Sequence, residues 1–134
     1  MKLKKSYKGF VIWMIIFCVI AIGVCFLPIN NAEIMTRIVN NICTLGVTFL
    51  TLIIYNTEYV YWYTGVSYED AQRAGSERRK KFAWKHFKRF ILFSLAFLIF
   101  SIIAQMFRVN IWIDILILVV GFVAVAFSTI RFKL

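Results

Sequence analysis

The sequence predicts an all-α membrane protein: four transmembrane helices in an antiparallel left-handed bundle, with an amphipathic cytoplasmic helical hairpin between helices 2 and 3. Three observations lead there. Of 134 residues, 62% are hydrophobic and only 16% charged, with a mean hydropathy of +0.81; soluble domains are nearer half apolar and about a quarter charged. Four apolar stretches approach the length of about 20 residues that crosses a bilayer core. The sixteen Lys and Arg against six Asp and Glu crowd into the N-terminal tail, one loop and the C-terminal end. One proline and six glycines leave little for linkers, so residues 1–134 read as a single four-span domain with no room for a soluble catalytic one.

The first span is expected at about 10–27, behind Lys2, Lys4, Lys5 and Lys8 and stopped by Pro28, which cannot continue a helical ladder. It is longer than a signal-peptide core, and the residues after Pro28 lack a small-residue cleavage pattern. Asn30 followed by Glu33 has the spacing of a helix N-cap with an acid three residues on. The second helix therefore begins near Asn31 and runs to Trp62, with its span at about 36–62. Tyr55, Tyr59, Tyr61, Trp62 and Tyr63 form an aromatic belt at its end.

Residues 64–89 are the one sizeable connection. Ser67 and Asp70 read as a capping pair for a short helix that Gly75 ends in a left-handed conformation, after which Ser76 caps a second helix. Nothing from Glu77 to Phe107 breaks that second helix, whose span is expected at about 90–107. A turn follows, Asn110 caps the last helix, and the fourth span runs over about 112–130. Fourteen basic residues lie in the tail, the 64–89 loop and the C-terminal end, against only Arg37 and Arg108 on the other side. The positive-inside rule then places both termini and the 64–89 loop in the cytoplasm, in a cell membrane.

In helix 2, Arg37, Asn41, Thr44, Thr48, Thr51, Tyr55 and Glu58 alternate by four and three, one heptad seam that lipid would solvate poorly. Phe49, Leu50 and Ile53 fall on the opposite, lipid-facing side. Ser94, Ser101 and Gln105 in helix 3, and Asp114, Gly121 and Ser128 in helix 4, echo the period. The seam suits either packing or a hydrated pathway. Glu58 is its sharpest candidate for proton or cation chemistry; its bland reading is an ion pair with Lys88 or Arg89. Glu33, Arg37, Arg108 and Asp114 collect at the outer face as a charge network. Arg78, Lys81, Lys85 and Lys88 form a basic stripe beside Trp84 and Phe87, suited to anionic lipid headgroups or a partner protein.

Catalysis finds little support. His86 is the only histidine, read as interfacial, and no metal or cofactor is expected. Cys18, Cys25 and Cys43 contain no CxxC, which disfavours four-span thiol oxidoreductases; they read as buried free thiols. Topology already explains the charge, so nucleic acid is not an expected partner. The favoured expectation is a non-enzymatic accessory or interaction subunit that assembles with itself or a larger membrane complex. The alternative is a small oligomeric channel or ion-coupled transporter with helix 2 lining the path.

Overall fold

A computed structural model describes residues 3–134; Lys2 of the basic tail lies outside them. Among the described residues all regular structure is helical: α1 at Lys8–Val24, α2 at Ala32–Thr57, α3 at Tyr68–Met106 and α4 at Ile111–Ile130, with a 3₁₀ turn at Val60–Trp62. Three of these, α2, α3 and α4, are long and apolar enough to cross a membrane. The 17 residues of α1 sit at the short end of the range of about 17 to 25 that spans one.

Polar side chains set the helix ends. Asn31, not Asn30, caps α2: its Oδ1 accepts from the backbone N–H groups of Glu33 and Ile34 at 2.9 and 3.1 Å. Ser67 Oγ accepts from Asp70 N at 3.0 Å, and Asn110 Oδ1 from Trp112 N at 3.0 Å, both ordinary N-caps. Gly75 interrupts α3 at φ 76° and ψ 162°, a conformation open to glycine because it carries no Cβ. Helix α1 ends one turn before Pro28, and α2 stops at Thr57 instead of Trp62. The cause at Thr57 is Glu58, which turns left-handed at φ 61° as its carboxylate is drawn toward α3.

Helix α2 packs against each of the other three helices. Glycine permits two close approaches between helices: a Cβ on Gly46 of α2 would stand 2.2 Å from the Phe17 ring of α1, and one on Gly121 of α4 would stand 2.2 Å from the Phe93 ring of α3. No residue of α1 is buried. Its start is held by the chain ahead of it, where Tyr61 Oη donates to Ser6 O at 2.8 Å and accepts from Ser6 N at 2.9 Å. Trp62 Nε1 donates to Ser6 O at 3.1 Å, and Tyr68 Oη donates to Leu3 O. The buried apolar core gathers at this same end, around Leu3, Ile54, Val60, Ala71, Phe82 and Ala83.

Gly46→Leu forces Phe17 off its seat. The expected cost is about 1–3 kcal/mol, as for other overpacked contacts, read as a lower unfolding midpoint in detergent with α2–α3 spin-label distances unchanged. A midpoint at or above wild type would show that this contact does not hold α1.

Candidate functional site: a polar seam between two buried ion pairs

One face of α2 carries polar groups along its length, and α3 answers most of them. At the N-terminal end Arg37 is buried; its Nε donates to Asp114 Oδ2 at 3.0 Å and its Nη2 to Asp114 Oδ1 at 3.3 Å. The other guanidinium protons reach Gln105 Oε1 and the Val109 carbonyl. Asp114 is fully buried in the first turn of α4, where the helix dipole favours a carboxylate. Three helices therefore meet on one guanidinium.

Moving along the seam, Asn41 Nδ2 donates to Ser101 Oγ at 3.0 Å and to the Arg37 carbonyl at 2.8 Å. Thr48 Oγ1 and Ser94 Oγ stand 2.6 Å apart, and each is 3.0 Å from the Thr44 carbonyl. One proton can bridge the two hydroxyls while the other goes to the carbonyl. Thr44 and Thr51 turn their hydroxyls back onto Asn41 O and Thr48 O at 2.9 and 2.6 Å, which satisfies them inside their own helix.

At the other end Glu58 is 8% exposed. Its Oε2 accepts from Arg79 Nε at 3.0 Å and Nη2 at 2.7 Å. Its Oε1 accepts from Ser76 Oγ at 2.6 Å and lies 3.7 Å from Lys80 Nζ. Arg79 Nη1 donates to the Ala71 carbonyl at 3.0 Å, tying the segment before Gly75 to the one after it. Burial alone would raise the Glu58 carboxyl. Hydrogen bonds from Ser76 and Arg79, with the charges of Arg79 and Lys80, outweigh it and hold the group below its ordinary value.

Several expectations change. Glu58 pairs with Arg79, not with Lys88 or Arg89, whose charged ends lie over the Trp84 and Phe132 rings. Ser76 gives its hydroxyl to Glu58 instead of capping a helix. In the outer charge group only Arg37 and Asp114 meet; Glu33 and Arg108 are exposed and in no ion pair among the described residues. His86 is buried, with Nδ1 3.0 Å from Phe82 O and its ring stacked 4.2 Å from Tyr63. Tyr55, half-buried, leaves the seam to pack on Trp84. Cys18 and Cys25 are exposed on and just after α1, and Cys43 is half-buried; all three are free. Arg78, Lys81, Lys85 and Lys88 are exposed, and of the lipid-facing set Phe49 is exposed while Leu50 and Ile53 are half-buried.

Arg79 and Asn40 were not visible as seam members. A signal existed for Arg79: with Phe82, Ala83 and His86 it occupies one face at offsets of three, four and seven, and all four are buried. Comparison with protein-family models, curated proteins and solved structures gives no match. Among the described residues no group of His, Cys, Asp or Glu is placed to hold a metal ion.

Glu58→Gln leaves Arg79 buried without its counter-charge, a loss of about 3–5 kcal/mol at neutral pH. Because the folded carboxyl titrates below its unfolded counterpart near 4.3, its stabilisation is present above that pH and is lost as pH falls through the folded value. Unfolding midpoints measured from pH 7 to 3 should therefore fall with acid in wild type and lose that component in Glu58→Gln. At the other pair, Asp114→Leu alone should destabilise more than Arg37→Met with Asp114→Leu, because the single change strands a buried cation. Equal losses in the single and double variants would show that Arg37 does not depend on Asp114.

Proposed function

We propose that this is a four-span membrane protein with both termini and residues 64–89 in the cytoplasm, acting non-enzymatically as an accessory or interaction subunit. In this reading the helices form an antiparallel left-handed bundle in a cell membrane, and the protein assembles with itself or with a larger membrane complex. The observation that carries it is where the chain spends its polar groups. Glu58, the group best suited to proton or cation chemistry, is consumed by Arg79, Ser76 and Lys80, and Thr48 by Ser94. Much of the remaining exposed surface is apolar or basic: α1 and α4 expose Ile12, Ile15, Val19, Leu116, Val120 and Phe127, and Arg78, Lys81 and Lys85 face outward from α3. The apolar surfaces suit lipid or another membrane helix, and the cations suit anionic headgroups or an acidic partner surface.

A second reading, a channel or ion-coupled transporter with α2 along its path, draws on one observation. Asn40 Nδ2 and Asn41 Oδ1 are buried beside the seam without a hydrogen-bond partner, and buried amides of that kind recruit water.

The two readings separate in reconstituted vesicles. For an interaction subunit, reversing Arg78, Lys81 and Lys85 to Glu abolishes co-purification of the complex, while Thr48→Val leaves it intact. Coupled ion flux that disappears in Thr48→Val and Glu58→Gln, with assembly unchanged in the basic-face variant, would overturn it. A reporter placed at Gly75 should read cytoplasmic; an external signal would remove the topology.

A further inference from the structure

Where the segment before Gly75 meets the end of α4, the surface folds into a concavity of about 470 Å³, within the range of roughly 300 to 1,000 Å³ that small ligands occupy. Arg73, Arg78 and Lys133 line it. These cations differ from most of their basic neighbours; Lys81 and Arg131 are also in no ion pair among the described residues but do not line the concavity. Arg79 and Lys80 are engaged by Glu58, and Lys85, Lys88 and Arg89 lie over aromatic rings. Arg73, Arg78 and Lys133 form no ion pair and no side-chain hydrogen bond among the described residues. The one side-chain carboxylate in the lining is Asp70, whose Oδ2 already accepts from Ser67 Oγ at 2.7 Å. The side chains lining the site thus carry three cations against one carboxylate.

Its remaining wall is apolar, built by Val66, Ile130, Phe132 and Leu134. Ile130 ends α4, one of the helices able to cross a membrane, so the concavity opens where a membrane-spanning segment gives way to polar chain. Cations facing an apolar wall at that depth match a molecule with phosphate at one end and hydrocarbon at the other. Two guanidinium groups favour phosphate, whose oxygens they can bind in pairs.

We propose that this concavity is a binding site for the headgroup of an anionic glycerophospholipid, with phosphate on Arg73, Arg78 and Lys133 and the glycerol end against Ile130 and Phe132. It requires that α4 lie in a membrane but not that the protein be a subunit of anything. It also differs from general attraction to the exposed stripe, because it draws on Arg73 and Lys133 and leaves out Lys81 and Lys88.

The test uses the full chain purified in mild detergent, with lipid retention read by native mass spectrometry. Wild type should keep added phosphatidylglycerol in preference to phosphatidylcholine. Each cation near a membrane surface contributes about fivefold, so Arg73→Gln with Arg78→Gln should reduce that preference roughly 30-fold, and Lys133→Gln alone about fivefold. Lys81→Gln with Lys88→Gln removes the same charge from outside the concavity and should leave the preference intact; circular dichroism checks that each variant is folded. If the double variant does not fold, the Lys133→Gln result decides. Equal loss from the stripe variant would overturn the site in favour of diffuse attraction. Inorganic phosphate that displaces phosphatidylglycerol at equal concentration would overturn the lipid in favour of a free anion, and equal retention of phosphatidylcholine would overturn the role of net charge.

Discussion

A guanidinium in a low-dielectric interior must keep its proton and therefore must find acceptors. Arg37 finds them on α3, on the turn after it and on α4 at once: Gln105, the Val109 carbonyl and Asp114. The desolvation of such a pair is large, and the attraction offsets it only when geometry and further hydrogen bonds are good. That requirement is directional in a way apolar contact is not. It sets the depth at which α4 begins relative to α2, and it places the turn after Met106, whose carbonyl at Val109 is one of the acceptors. The Glu58–Arg79 pair does the same at the far end, where it also terminates α2.

Between these two anchors the contacts are hydroxyls and small residues. Thr48 and Ser94 are both buried, and their mutual hydrogen bond ties α2 to α3 where hydrophobic attraction between helices would contribute little in lipid. Gly46 and Gly121 permit ring-on-backbone contact with Phe17 and Phe93, the close approach that van der Waals packing needs. The large apolar side chains that would form the core of a soluble bundle mostly point outward here. Phe97 and Ile54 are the largest of the few fully buried side chains.

Much of the helix layout was legible because it rests on local chemistry: the caps at Ser67 and Asn110, the left-handed Gly75 and the heptad spacing of the threonines. What escaped depended on distant partners. Nothing near Glu58 in the sequence distinguishes Arg79 from Lys88 as its mate; the kink at Gly75 decides, by bringing Ser76 and Arg79 back onto the end of α2. His86 shows the converse. A lone histidine in a basic run reads as interfacial, yet Tyr63, Phe82 and Phe132 surround it, and only the folded chain gathers those rings. Glu33 and Arg37 have the spacing for a helical ion pair, but a better acceptor in α4 takes the arginine.

The clasp on the first residues bears on the order in which the protein is built. Leu3 and Ser6 are gripped by Tyr61, Trp62 and Tyr68, side chains that leave the ribosome some sixty residues later. Until then α1, with nothing of its own buried, has no firm partner at its leading end. Closure of the clasp requires the start of α1 and the end of α2 to lie side by side. The aromatic cluster therefore closes late: the leading end of α1 is fixed only once the end of α2 and the start of α3 have been made.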